Sequence, residues 1–334
     1  MRFVPYLDLE DVPNVIVDGD GASSTLLTLS HWPGSHVPES LRADLSAEIV
    51  LRYLEQPEQH VAVDVTSNNH FDEDGLMGIY ALVAPHDALA QRDLVADVAR
   101  AGDFGWSTTR TAARVAFAVS TLVDPDASPL DPAVFAGDYP AMAARLYSEL
   151  LPRVPALLRD IDRFRDLWAD EDAHLDASNA AFAGGDVTIA EHRDLDLAVV
   201  TLPSIESRVM HRFTQRRRAE LHPMSVHNRT DMLRVAYIRE RHYSVELRYE
   251  SVVQFVSRPV LPRPDLAVLA DRLNELEGSG GKWSFEGVGG LTPKLALLDA
   301  DESSLEPSTF IRELVAFLRH AEPAWDPWSE AGFR

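Results

Sequence analysis

Three short apolar runs, each closing on a polar loop, limit what the first third of this chain can become. Asn14–Val17 leads into Asp18-Gly19-Asp20-Gly21, and Thr25–Leu29 leads into Ser30-His31-Trp32-Pro33-Gly34. Val61–Val65 leads into Thr66–Gly75. Runs of this length bounded by turn formers predict strands. Between the second and third, Leu41, Leu45, Ile49 and Leu54 recur at helical spacing. After Gly75, three further stretches read as helices: LMGIYALVAP up to Pro85, then Asp87–Ala101 and Thr108–Leu122. Strands interleaved with helices predict an α/β architecture, here a Rossmann-like N-terminal domain with a mostly parallel sheet.

The remainder has a different texture. Tyr139–Trp168 carries apolar residues every three or four positions, and Asp170–Asp186 is acidic and rich in small residues, ending in Ala183-Gly184-Gly185. That stretch is the expected boundary between a domain at 1–185 and a smaller α+β domain at 186–334. In the latter, Val187–Glu191 and Leu195–Leu202 predict paired strands, Arg208–Arg218 an arginine-rich helix, and Met232–Arg239 with Tyr243–Val256 two alternating strands. Asp265–Leu276 and Pro307–His320 read as helices, Trp283–Val288 and Pro293–Leu298 as strands. The 334 residues are about twice a common domain size, which agrees with two units.

Charge narrows the partners. Lys+Arg number 31 against 53 Asp+Glu, a formal charge of −22, and Lys282 and Lys294 are the only lysines. Such a chain is expected to avoid long duplex nucleic acid and anionic membranes. There is no cysteine, which removes disulfides, thiol nucleophiles and thiolate metal sites together. No run has the length of a membrane span and Met1–Glu10 has no signal-like apolar core, so a cytoplasmic location is the expectation.

The segment richest in chemistry is Asn68-Asn69-His70-Phe71-Asp72-Glu73-Asp74-Gly75. A strand feeds it and a helix follows, which places it at a carboxyl strand end, where open α/β sheets hold their sites. His-x-Asp-x-Asp offers an imidazole and hard oxygen donors within one loop, the mixture that one or two divalent ions require. Gly75 is expected to permit the tight turn, and the helix N-terminus to favour a nearby phosphate.

VAVDVTSNNHFDEDGLMGIYAL resembles the first motif of the DHH phosphoesterase superfamily, a strand followed by His-x-x-Asp-x-Asp-Gly or Asp-x-Asp-Gly and a small-residue helix. The whole chain also resembles a bacterial family of uncharacterised proteins sharing SHWPG, NNHFDEDG and RAGDFG. The superfamily resemblance implies two domains, a manganese pair, and hydrolysis of phosphoesters in nucleotides or short nucleic acids. It implies His70, Asp72 and Asp74 as metal ligands. The Asp-His-His triplet of that superfamily is absent, so further ligands must come from elsewhere.

Asp18 and His31 follow the first two strands and should converge on the same sheet edge as the His70 loop. Asp18 is thus a candidate metal ligand, and His31 a ligand or acid–base group. Asp103, in Arg100-Ala101-Gly102-Asp103-Phe104-Gly105, is a further candidate ligand. Arg208–Arg218 is the one concentrated cation run, and its Arg217 and Arg218 are candidates to grip an anion bidentately. His227, Asn228 and Arg229 are expected to line a substrate pocket between domains, with His227 a second candidate acid.

The sequence therefore predicts a metal-dependent phosphoesterase using Mn²⁺ or Mg²⁺, one or two ions, on a small phosphorylated metabolite, nucleotide or short oligonucleotide. The alternatives are a non-phosphate hydrolase, an iron-dependent small-molecule transformation, or a degenerate hydrolase fold used as a ligand-binding module.

Overall fold

The run Asn14–Val17 (β2) becomes the buried heart of the first sheet, with Val15, Ile16 and Val17 wholly removed from solvent. The computed structural model describes residues 1–203, 208–212, 215–219 and 221–329, and side chains only outside 204–220. The chain forms two compact units. The first comprises Met1–Asp176, Arg208–Asn228 and Phe255–Ser257; the second comprises Ala177–Ser207, Arg229–Gln254 and Arg258–Arg334.

In the first unit, β1 (Arg2–Phe3), β2, β3 (Thr25–Leu29) and β4 (Val65–Ser67) pair in the order β1-β4-β2-β3, every pair parallel. The third expected strand is displaced. Thr66 and Ser67 pair with Val15 and Ile16, while residues 61–64 precede the strand as exposed or half-buried loop, so Asp64 lies outside the sheet. The chain moves from β2 to one side, then returns to β4 on the other. That reversal is the switch point at which the carboxyl strand ends open a crevice.

Helix α1 (Ser46–Glu55) lies between β3 and β4 in sequence, and α2 (Glu73–Val83) follows β4. After its two leading acids the α2 sequence is apolar on all sides, and residues 73–82 are all buried. It packs on β2 and β4 and against α1 and α4 (Arg92–Asp103), with α3 (Pro85–Ala90) joining the two. Gly78 allows the close approach, because a Cβ there would stand 2.6 Å from Val17 Cγ1. Helices α5 (Arg110–Val123), α6 (Tyr139–Leu150) and α7 (Val154–Arg159) continue the unit.

The expected boundary stretch, Asp170–Asp186, is largely helical: Ala169–Gly184 forms α8, stopped by Gly185 at φ +81°. Its alanines favour a helix more than its acids oppose one. One expectation changes: Arg208–Arg218 is not a helix, and Arg208–Arg212 and Gln215–Ala219 pair as antiparallel strands, β7 and β8.

In the second unit, β5 (Thr188–His192), β6 (Leu197–Thr201), β9 (Arg234–Arg239), β10 (His242–Leu247), β12 (Lys282–Phe285) and β13 (Lys294–Leu298) form one mixed sheet. Its order is β12-β13-β10-β9-β6-β5, with only β6 and β9 parallel. The alternation of β10 turns Tyr243, Val245 and Leu247 inward. There they meet Leu269 and Leu273 of α10 (Ala267–Leu276) and Phe310 and Leu314 of α11 (Pro307–Leu318). Each such side chain contributes about 1.5–3 kcal/mol on burial. Gly287–Gly290 lie in the hairpin connection between β12 and β13. Buried Arg263, from the short β11 (Arg263–Pro264) that pairs with β14 (Pro323–Trp325), donates to the carbonyls of Val288, Gly290 and Leu291 and holds it. Among the described residues, no helix is long and apolar enough to cross a membrane.

Candidate metal centre

Three carboxyl strand ends of the parallel sheet deliver a histidine or an aspartate each. Asp18 follows β2 immediately, at φ +53°, a left-handed conformation that aspartate tolerates better than most side chains. His31 follows β3 and is buried; the loop after β4 carries His70, Asp72 and Asp74.

Both imidazoles are held the same way. His31 Nδ1 lies 2.6 Å from the Asp44 carbonyl oxygen. A carbonyl only accepts, so Nδ1 carries a proton and Nε2 is the ring nitrogen turned toward the carboxylates. That Nε2 faces Asp18 Oδ1 at 3.5 Å, Asp103 Oδ2 at 3.8 Å and Asp74 Oδ2 at 3.9 Å. His70 Nδ1 lies 3.0 Å from Asn69 Oδ1, and its Nε2 faces Asp72 Oδ2 at 2.9 Å and Asp18 Oδ2 at 3.3 Å. Anchoring one ring nitrogen on an oxygen while the other looks into carboxylates is the outer-shell arrangement of metal-binding histidines.

The donors sort into two groups, Asp18/His70/Asp72 and Asp18/His31/Asp74, within which the ligand atoms lie no more than 4.8 Å apart. Neighbouring ligands of an octahedral ion with bonds near 2.1 Å stand about 3 Å apart, so small adjustments suffice. Asp18 belongs to both groups. Its Oδ1 accepts from Ser46 Oγ at 2.6 Å and from Trp32 Nε1 at 3.1 Å. Its fully buried Oδ2 lies 3.3 Å from His70 Nε2 and, among the described residues, accepts from no other group.

Two of the carboxylates also cap helices. Asp72 Oδ1 accepts from Gly75 N at 2.7 Å, closing the first turn of α2, and leaves Oδ2 for His70. Asp74 Oδ2 and Oδ1 each accept at 2.7 Å from Ser46 N and Ala47 N, the start of α1. One such bond leaves each oxygen a lone pair for a cation. Glu73 turns away and accepts from Ser120 Oγ.

Among the described residues, the ion-pair neighbours of Asp18, Asp72 and Asp74 are histidines alone. Like charges at about 4 Å cost about 4 kcal/mol at an effective dielectric of 20. Burial, then the charges of Asp18 and Asp72, push the Asp74 carboxyl well above the usual carboxylate range. Burial, then the charges of Asp72 and Asp74, do the same to Asp103. Burial depresses His70, but Asp72 and Asp18 outweigh it and hold the imidazole well above its ordinary value. Burial also raises Asp18, and there the opposing hydrogen bond and charge of His70 prevail. The cluster is short of positive charge, the condition that a divalent cation relieves.

Gly75 is needed for space, not for a turn. A Cβ there would lie 2.4 Å from Asn68 Nδ2 and 2.6 Å from Tyr147 Oη, two groups that hydrogen-bond each other at 2.9 Å beneath the loop. Gly75→Ala should cost about 1–3 kcal/mol, as overpacking does, with a fall in Tm and weaker Mn²⁺ uptake. Unchanged melting would contradict this packing.

The other candidates sit as follows. Asp103 ends α4 and joins the cluster through His31. His227 and Asn228 belong to the first unit: His227 Nδ1 lies 3.0 Å from the Phe104 carbonyl oxygen, and Asn228 Oδ1 accepts from Ser107 N at 3.0 Å. Arg229 belongs to the second unit, where it donates to Asn179 and covers Phe182. The side chains of Arg217 and Arg218 lie outside the described residues. Sequence reasoning missed Asp44, Ser46 and Tyr147, and gave Asn68 no role of its own. The Asp44 contact is made by backbone and has no sequence signal; Ser46 is a common helix-start residue.

No curated protein and no solved structure matches the chain. Residues 1–329 match the model of a protein family, DUF6687, described as a family of unknown function.

Proposed function

We propose that this chain, which belongs to the DUF6687 family of unknown function, is a divalent-metal-dependent phosphoesterase acting on a small phosphorylated metabolite, nucleotide or short oligonucleotide. The observation that carries the reading is the pair of histidines whose Nε2 atoms look into buried carboxylates. His31, His70, Asp18, Asp72 and Asp74, with Asp103, would hold one or two ions. Imidazole with hard oxygen donors suits Mn²⁺ first, with Mg²⁺ or Fe²⁺ as rivals. When bound, the ions supply Lewis acidity toward a phosphoryl group and lower the pKa of water at the centre.

The chain's own groups divide the remaining work. Asp72 holds Oδ2 beside the His70 ring, on the more exposed side of the cluster, and orients that imidazole. Trp32, half-buried, fixes Asp18 through its indole N–H and packs edge-on against His70 at 5.6 Å. The resemblance of the His70 loop to a phosphoesterase motif selects phosphoesters among the reactions that such a centre can support.

The test is hydrolysis of p-nitrophenyl phosphate and bis-p-nitrophenyl phosphate by metal-stripped protein resupplied with Mn²⁺, alongside elemental analysis of untreated protein. Mn²⁺-dependent release of nitrophenol, abolished by Asp72→Ala, is expected. Tight metal uptake without turnover of either ester overturns the phosphoesterase reading and leaves the centre standing.

A further inference from the structure

The two donor groups are chemically unequal. Around His31, the side chains of Asp18 and Asp74 are 0% exposed, as is His31 itself, and Asp103 is 3% exposed. Around His70, the side chains are 23% exposed for His70 and 11% for Asp72. The inner group offers three carboxylates to one imidazole; the outer group offers two, one of them the shared Asp18. The inner donors are also more firmly held. Asp74 is fixed by two backbone N–H groups, and His31 by the Asp44 carbonyl. The turn after Asp103 is clamped by the short helix α9 (Pro223–His227), through His227 on Phe104 and the adjoining Asn228 on Ser107. Beyond the acids themselves, Asp18 Oδ2 is a fully buried oxygen that, among the described residues, accepts from no group other than the His70 ring, 3.3 Å away, while Oδ1 of the same carboxylate faces His31.

Ligand charge and rigidity set the affinity of a site for a hard cation, while exposure sets exchange and access. We propose that the inner subsite, Asp18/His31/Asp74/Asp103, holds a resident ion, and that the outer subsite, Asp18/His70/Asp72, holds an exchangeable ion on the side that substrate reaches. This rests on the reading that the cluster holds divalent ions. His227 is in this scheme a positioning residue for Asp103.

The experiment is Mn²⁺ titration of metal-stripped full-length protein by calorimetry, with manganese spin resonance recorded at one and two equivalents. Two phases separated by at least about tenfold in affinity are expected. Asp103→Asn, which removes a buried charge without changing shape, should weaken the tight phase at least about tenfold and spare the weak one. His70→Ala should abolish the weak phase and spare the tight one. His227→Ala should weaken the tight phase, with recovery in His227→Gln. Equal affinities, a single bound ion, or the reverse assignment of the variants to phases overturns the ordering alone. A protein that takes up no ion overturns the metal centre itself.

Discussion

Asp18→Asn should remove Mn²⁺ binding at the whole centre while leaving the fold intact. Asp18 is the one carboxylate shared by both donor groups, and its amide isostere keeps an oxygen for Ser46 and Trp32. Asparagine also accepts the φ of +53° at this position. Loss of outer-shell partners alone costs 10- to 100-fold in affinity, so a lost shared ligand should cost at least about 100-fold. In wild-type protein, Mn²⁺ at 100 times its Kd stabilises by about 2.7 kcal/mol. For a unit of this size that is a rise in Tm of about 5–10 °C. Asp18→Asn should show none of that rise when each protein is compared with its own metal-free melt. A retained Mn²⁺-induced rise would contradict the shared-ligand role.

The second large effect is an inversion of pH dependence by metal. Asp72, Asp74 and Asp103 are raised above the ordinary carboxylate value, chiefly by burial and by one another's charge. His70 is raised as well, its burial outweighed by Asp72 and Asp18. Each of these groups binds protons more tightly folded than unfolded. The stability they contribute is present at low pH and lost as pH rises through the folded values, so the cluster's own contribution in metal-free protein should fall as pH rises from the ordinary carboxylate value, about 4, past the ordinary imidazole value, about 6.5. Asp18, held low by His70, runs the other way but is one group against four. Mn²⁺ must displace those same protons, so its affinity and its Tm increment should grow with pH, with proton release on binding. Melting of stripped and Mn²⁺-loaded protein across that range tests it. Parallel curves would mean that the ion binds elsewhere.

What could be read in advance followed from local chemistry. The β2 and β3 runs were legible because apolar strands flanked by Asp-Gly and Trp-Pro-Gly signal their own ends. From parallel strand order it followed that Asp18, His31 and the His70 loop share an edge. The β4 register was not legible: Val61–Val65 alternates like a strand, but pairing with Phe3 and Val15 selects Val65–Ser67. Antiparallel pairing of Arg208–Arg212 with Gln215–Ala219 also stands where a helix was expected, although arginine favours helices. At the site, residue types were visible but their double duty was not. Asp74 caps α1, 27 and 28 residues away in sequence, a contact that no spacing rule reveals. Asn228 and Arg229 are sequence neighbours that enter different units.

The central claim is a divalent cation among these side chains, and anomalous diffraction at the manganese edge from crystals grown with Mn²⁺ addresses it directly. The account expects a strong peak bounded by Asp18 and the Nε2 atoms of His31 and His70. No peak there at saturating Mn²⁺, with Asp72 and Asp74 engaged only as helix caps, would contradict it.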